Sequence, residues 1–323
     1  MPLTPAAIGG DSIIDVDRLT RVFRRRGAPA LAAVDGMTFQ VAPGEAVGYI
    51  GANGAGKSTT IKMLTGILAP TAGTARTCGF DPMRERRDLA RHIGVVFGQR
   101  SQLWWDLPLQ ESFEILASIH RLDAPRAARR TAELVELLDM GATLTQPVRS
   151  LSLGQRMRAE VAAALLHEPA LVILDEPTIG LDVLSKASLR EFLIRERRER
   201  ETTLLLTTHD MGDIQRLCDR VLVVDHGRLA YDGTLTGLAD AVGVQRVLVV
   251  DLDAPTEALH GIPHTRWLGS EGDGVRQRLA FDAKVTTAAA VLTEVAERAG
   301  VRDLTIDEPD IEDVVRRIYS ATT

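Results

Sequence analysis

The sequence has little of what would settle a protein's class at a glance. Only Cys78 and Cys218 among 323 residues are cysteine, and they make no metal-ligand or redox spacing, so both are read as buried or idle thiols. No apolar run approaches the roughly 20 residues of a membrane-spanning helix; VLVVD and LVILDEP are each interrupted by charge. Basic residues are in the minority, 38 Lys and Arg against 44 Asp and Glu, for a formal net charge of -6. That balance argues against a general nucleic-acid-binding face. The opening residues, MPLTPAAIGGDSIID, have no basic segment followed by an apolar core, so no signal peptide is expected. Internal repeats and low-complexity stretches are missing too. The expectation is a globular cytoplasmic chain, with no direct insertion in a membrane and any membrane role exercised through a partner.

What is present is an alternation of apolar strands and amphipathic helices. SIIDVDRLTRVF, MTFQV and EAVGYIG read as strands, with Pro43-Gly44 turning between the last two. STTIKMLTGIL has Ile61, Leu64 and Leu68 at helical spacing, with Pro70 and Gly73 expected to stop it. Residues from Leu107 to about Met140 read as helical throughout. The continuous apolar strands IGVVF, LVILD and TTLLLTT, separated by helices, predict a mostly parallel sheet covered on both faces. RVLVVD and RLAYDG form a hairpin around Asp225-His226-Gly227. The character changes near Ala241, where shorter strands and two helices suggest a small α+β domain. The expected division is therefore 1–240 and 241–323, with GLADAVG at the boundary.

One stretch, GANGAGKSTT, carries strong chemistry. Gly51, Gly56, Lys57 and Ser58 fit the GxxxxGKS pattern between a strand and a helix. In such a loop the backbone N–H groups of Gly51, Asn53, Gly54, Ala55, Gly56 and Thr59, together with the positive end of the helix, cradle phosphate oxygens. Lys57 reaches the outer phosphates and the Ser58 hydroxyl can ligate Mg²⁺. LVILDEP supplies a second element: an apolar strand delivering Asp175 to the metal side of the phosphates, with Glu176 next to it to polarise a water. His209, after TTLLLTT, lies at the same sheet edge, where open α/β folds bind ligands. Taken alone, an Asp-Glu pair ending a strand is more often a cap plus a solvated acid. Beyond a phosphate loop, the metal-and-base reading is favoured.

LSLGQ, residues 151–155, then raises a question, because it looks like a second phosphate-reading turn in a chain that already has one. With that turn the sequence resembles the ATP-binding cassette (ABC) ATPases, over roughly residues 12–240, with the motifs in the family's order. The resemblance implies a P-loop cassette with a mostly parallel core sheet, an antiparallel N-terminal sheet and a helical subdomain at about 100–160. It also implies a head-to-tail dimer, in which Ser152, Gly154 and Gln155 of one copy serve the ATP of the other. It assigns Gln99 to Mg²⁺ and the attacking water, Asp182 in TIGLD to the dimer interface, His209 to the γ-phosphate and Phe23 to adenine stacking. Against the family's usual LSGGQ, Leu153 replaces the first glycine; Gly98 stands where proline is frequent.

The end of the chain, IDEPDIEDVVRRIY, resembles the tail of ATPase subunits of drug-resistance-type exporters in the ABC-2 class, which pair with a separately encoded integral membrane permease. WWDLP and TIGLD resemble a viologen-exporter branch. Trp104 and Trp105 are read either as permease-docking aromatics or as core of the helical subdomain. RERRER, residues 195–200, reads as a solvent-facing helix end. The resemblance thus implies an ATP- and Mg²⁺-dependent motor of an exporter at the cytoplasmic face of the cell membrane. The rival readings are a cassette working on nucleic acid or ribosomes, and a P-loop kinase or GTPase that would leave LSLGQ without a role.

Overall fold

A computed structural model describes residues 12–24, 27, 29–98, 101–241 and 245–307. The tail after Asp307 that resembles drug-resistance-type exporters lies outside the described residues, as does Gln99. The described chain divides between Thr234 and Leu235 into two compact units.

The first unit begins with β1 (Ile14–Phe23), β2 (Leu31–Val41) and β3 (Ala46–Gly51), followed by α1 (Lys57–Leu64) and β4 (Ala72–Thr77). A short α2 (Arg86–Leu89) leads to β5 (Ile93–Phe97). Next come α3 (Leu109–Ile119), α4 (Ala124–Leu137), α5 (Leu153–Leu165) and β6 (Leu171–Asp175). The unit closes with α6 (Val183–Arg200), β7 (Thr203–Thr207), α7 (Met211–Leu217), β8 (Arg220–Asp225) and β9 (Arg228–Gly233).

Two sheets result. β2-β1-β4 is antiparallel; the other runs β5-β6-β7-β3-β8-β9 and is parallel except for the β8–β9 hairpin. Every residue of β3 and β7 is buried, as their unbroken apolar runs require of strands covered on both faces. Ile14, Val16 and Leu19 of β1 join Val47, Tyr49, Ile173 and Leu205 in a core between the sheets. No helix among the described residues is long and apolar enough to cross a membrane.

Several local expectations are corrected. β2 starts at Leu31, well before MTFQV, and β4 was not foreseen, because its AGTART sequence is mostly exposed on a sheet edge. α1 ends at Leu64 rather than at Pro70: Gly66 turns left-handed (φ 70°), and the Ile67 and Leu68 N–H groups both bond to the Lys62 carbonyl. The helical stretch 107–140 is broken into α3 and α4, where Asp123 caps α4 by accepting from the Arg126 N–H. RERRER is not simply solvent-facing. Glu196 is buried against Arg130 of α4, Arg197 bonds the Gly44 carbonyl, and Arg200 bridges Glu133 and Glu168.

The second unit comprises α8 (Leu235–Ala241), β10 (Arg246–Leu252), β11 (Thr265–Glu271), β12 (Arg276–Phe281), α9 (Ala288–Ala296) and β13 (Val301–Asp307). Its antiparallel sheet, β11-β12-β10-β13, packs Leu248, Val250, Leu279 and Phe281 against Val291 and Val295 of α9. Gln277 is fully buried there. Its carbonyl accepts from the Leu259 N–H and the Trp267 indole, and its amide donates to the Thr256, Glu257 and Gly274 carbonyls.

Candidate active site

Strand order decides where the chemistry collects. β6, β7 and β3 are neighbours, so their carboxyl ends bring the Asp175-Glu176 pair, His209 and the phosphate loop to one edge of the sheet. There a cavity of about 530 Å³ is lined by Asn53, Gly54, Gly56, Lys57, Ser58, Thr59, Asp175, Glu176 and His209. Of the other loop residues, Ala55 is buried beneath the turn and Gly51 ends β3.

The loop's geometry demands its glycines. Gly56 is left-handed (φ 105°), and a Cβ there would lie 2.3 Å from the Ala33 carbonyl oxygen. As the N-cap of α1 it offers no side chain to the first-turn N–H groups, which stay available to phosphate oxygens. The hairpin between β8 and β9 braces the loop from behind, the Gly227 N–H donating to the Ala55 carbonyl at 3.0 Å. Lys57 folds back on the loop, its Nζ donating to the carbonyls of Gly51 and Ala52. Burial pulls the Lys57 pKa down, opposed by the charges of Glu176 and Asp175.

The acids are held differently. Asp175 accepts a hydrogen bond from the hydroxyl of Thr207, its register partner on β7. Glu176 is left-handed (φ 57°), a conformation costing about 1–2 kcal/mol outside glycine, and is pinned by its N–H donating to the Thr207 carbonyl at 2.9 Å. Its Oε2 accepts from the His209 backbone N–H at 3.3 Å. Its Oε1 is buried and lacks an aligned donor, although His209 Nε2 is 3.2 Å away.

Ser58 and Asp175 share this cavity, and no cluster of three or more acidic, histidine or cysteine ligands exists among the described residues. One hydroxyl and one carboxylate beside a phosphate cradle fit Mg²⁺, which keeps several waters and takes its remaining ligands from substrate phosphates.

Other expected residues lie elsewhere. Phe23 ends β1, its ring under the Arg21 guanidinium at 4.8 Å, and is not among the residues lining the cavity. Ser152 caps α5 in a capping box: its hydroxyl accepts from the Gln155 N–H while its own N–H donates to Gln155 Oε1. Asp182 caps α6, accepting from the N–H and hydroxyl of Ser185, and these bonds lower its pKa. Neither Ser152, Gly154, Gln155 nor Asp182 lines the cavity. Trp104 and Trp105 are surface residues, 36% and 49% exposed, so they are not core, and the Arg156 guanidinium stands 5.6 Å from the Trp105 ring centre.

Sequence reading missed several participants. Ala33, Lys62, Ile67, Phe97 and Ile179 also line the cavity. Lys62 had a usable signal, since it lies four residues after Ser58 on one helix face. Thr207 and the chain Thr178–Asp213–Arg190 had none, because they meet only through the fold. In that chain Asp213 is fully buried and ties the segment after Glu176 to α6 and α7; Lys186 and Asp210 extend it at 2.6 Å.

Residues 34–179 match the ABC transporter family model. Daunorubicin resistance ATP-binding protein DrrA3 of Streptomyces coeruleorubidus is 38% identical over 218 residues, 68% of this chain and 68% of that protein. The chain belongs to the ABC transporter ATP-binding proteins. The similarity continues into the C-terminal unit: Daunorubicin resistance ATP-binding protein DrrA2 of the same organism is 32% identical over 296 residues, 90% of this chain and 91% of that protein. Among solved structures, an ATP-binding subunit of an ABC transporter superposes with a TM-score of 0.65 at 29% identity, covering 72% of this chain and 94% of the other. The fold is that of a P-loop ABC cassette and the chain is an ATPase of that family, with drug-resistance ATP-binding proteins among its relatives.

Proposed function

We propose that this ABC ATPase is the motor subunit of an exporter, working at the cytoplasmic face of the cell membrane through an integral membrane permease. ATP is held by Asn53 to Thr59, and Ser58 and Asp175 take Mg²⁺; the resemblance adds Gln99 to that role. The observation that carries the hydrolytic reading is the convergence of the loop, Asp175, Glu176 and His209 on one cavity. When bound, Mg²⁺ offsets the charge on the phosphate oxygens. Glu176 orients a water and accepts its proton as the water attacks the terminal phosphorus and the bond to the bridging oxygen breaks. His209, held over Glu176, meets the terminal phosphate.

The catalytic unit is a head-to-tail pair of chains. Support comes from position: Ser152 to Gln155 and Asp182 are not among the residues lining their own cavity, and the exposed apolar side chains Leu153, Val183 and Leu184 stand in or beside the same two turns. An outward cluster of that kind marks an interaction surface. The Ser152 hydroxyl accepts within its capping box, so its proton remains to donate to a partner's phosphate. Trp104 and Trp105 are exposed on the helical subdomain, and at least one of them packs against a cytoplasmic helix of the permease. The C-terminal unit serves as an accessory, regulatory domain. Phe23 stacking on adenine belongs to the same proposal.

The test is affinity purification of Glu176→Gln from detergent-solubilised host membranes with Mg-ATP present. A stoichiometric polytopic membrane protein is expected. Recovery of ribosomes or nucleic acid instead would overturn the transport reading.

A further inference from the structure

The departure at Leu153 has a counterpart inside the same chain. Gly180, in the turn before α6, is left-handed (φ 72°), and a Cβ built on it would lie 2.3 Å from Leu153 Cδ2 and 3.5 Å from its Cγ. The leucine therefore occupies the space over the glycine. The packing is reciprocal: a Cβ on Gly154 would lie 3.5 Å from Leu181 Cδ2 and 3.8 Å from Ser185 Oγ. Leu181 is buried, whereas Leu153 remains 43% exposed. Both segments are helix caps, Ser152 for α5 and Asp182 for α6, and both caps are closed by their own side-chain bonds. The two leucines thus join two helix N-termini that approach from different parts of the chain.

We propose that Leu153 is a positioning residue, closing on Gly180 so that the LSLGQ turn and the Asp182 turn meet the second molecule as one body. This deepens the dimer reading and rests on it. A glycine at 153 would leave only Leu181 to join the two turns; the second leucine restricts them further before the partner arrives, so less ordering remains to oppose association. Leu153 makes no contact with its own chain's phosphate cavity, so its effect falls on partner engagement and not on nucleotide binding by the single chain.

The experiment uses the full chain carrying Glu176→Gln, so that ATP is held without turnover, and compares L153A, L153M, G180A and the L153A/G180A double variant. Sedimentation velocity with Mg-ATP reads dimer affinity; titration with Mg-ADP reads binding by the single chain. L153A should weaken ATP-driven dimerisation about tenfold, the scale of losing one partly buried leucine contact. Mg-ADP affinity should stay near the parent's, while thermal unfolding falls only modestly with the lost intrachain contact. L153M, long enough to reach Gly180, should restore dimerisation. G180A displaces the leucine methyl and adds the strain of a side chain at φ 72°, so it should dimerise no better than L153A, with the double variant no worse than G180A alone. A parent that dimerises alongside an equally competent L153A overturns this proposal alone. A parent that stays monomeric with Mg-ATP overturns the dimer reading and this proposal with it.

Discussion

The Thr207 hydroxyl hydrogen-bonds the Asp175 carboxylate from the paired position on the adjacent strand, while the Thr207 carbonyl holds the N–H of Glu176. One buried threonine thus aims both acids. Removing its hydroxyl leaves Asp175 free to turn, and supporting bonds of this type are worth roughly 10–100-fold in metal affinity. T207V should therefore raise the Mg²⁺ concentration for half-maximal ATPase activity about tenfold, with T207S close to the parent. An unchanged Mg²⁺ titration would remove Thr207 from the metal site's support.

The left-handed backbone at Glu176 marks a residue held for a purpose. As general base it should contribute about two to four decades of rate. E176Q keeps the side chain's shape and is expected to bind Mg-ATP like the parent while turning it over by that factor more slowly. Single-turnover hydrolysis at the parent's rate would exclude the role. Lys57→Ala should differ in kind, weakening ATP affinity itself, as equilibrium binding would report.

Legibility followed how local each signal is. The phosphate loop, the strands bearing Asp175 and His209, and the LSLGQ turn each sit within a few residues, and their apolar or glycine-rich flanks state their structure. β4 was invisible because AGTART has neither alternation nor apolar weight; it pairs only because β1 offers an edge. Glu196 looked solvated inside RERRER, and nothing local announces that Arg130, 66 residues away, buries it. Thr207 reads as strand packing until Asp175 is placed beside it. Leu153 read as a departure from pattern, and only the neighbouring Gly180 gives it a place.

The Arg130–Glu196 pair is buried, with Arg130 also 3.0 Å from Glu133 and joined to Arg200 through shared carboxylates. It ties α4 to α6, and so the helical subdomain to the sheet. Burial raises the Glu196 pKa against the pull of Arg130. Loss of one partner strands a buried charge and should cost about 3–5 kcal/mol. R130A is expected to lower the urea midpoint accordingly, whereas R130M/E196L should regain most of the loss. Equal midpoints for R130A and the parent would show the pair to be dispensable.

His167 gives stability a pH dependence. Its ring is buried, stacks on His120 at 3.8 Å, and has Nε2 3.0 Å from the Ile93 carbonyl; burial foremost, then the His120 charge, push its pKa down from 6.5 to about 3. The unfolded chain takes up a proton below pH 6.5 and the native chain does not until about pH 3, so stability falls as pH drops through that window. At pH 5 the loss from this residue is about 2 kcal/mol. Urea midpoints for H167Q, whose amide can still donate to Ile93, should decline less between pH 6.5 and 5. Identical slopes for parent and variant would remove His167 as their source.

Gly154 separates what the single chain needs from what a partner needs. Its φ is not left-handed, and the nearest atoms to an added Cβ stand at ordinary contact distances, 3.5 Å and beyond. Among the described residues nothing therefore forbids a side chain at this position, in contrast to Gly56, where the Ala33 carbonyl does. If glycine is required at 154, the requirement comes from a molecule approaching from outside. G154A should fold with the parent's thermal midpoint and bind Mg-ADP normally, yet lose about tenfold or more in ATP-driven dimerisation, because one methyl group holds the partner's phosphate off the α5 N-terminus. G154A that dimerises and hydrolyses ATP like the parent would mean that the LSLGQ turn reads no phosphate at all.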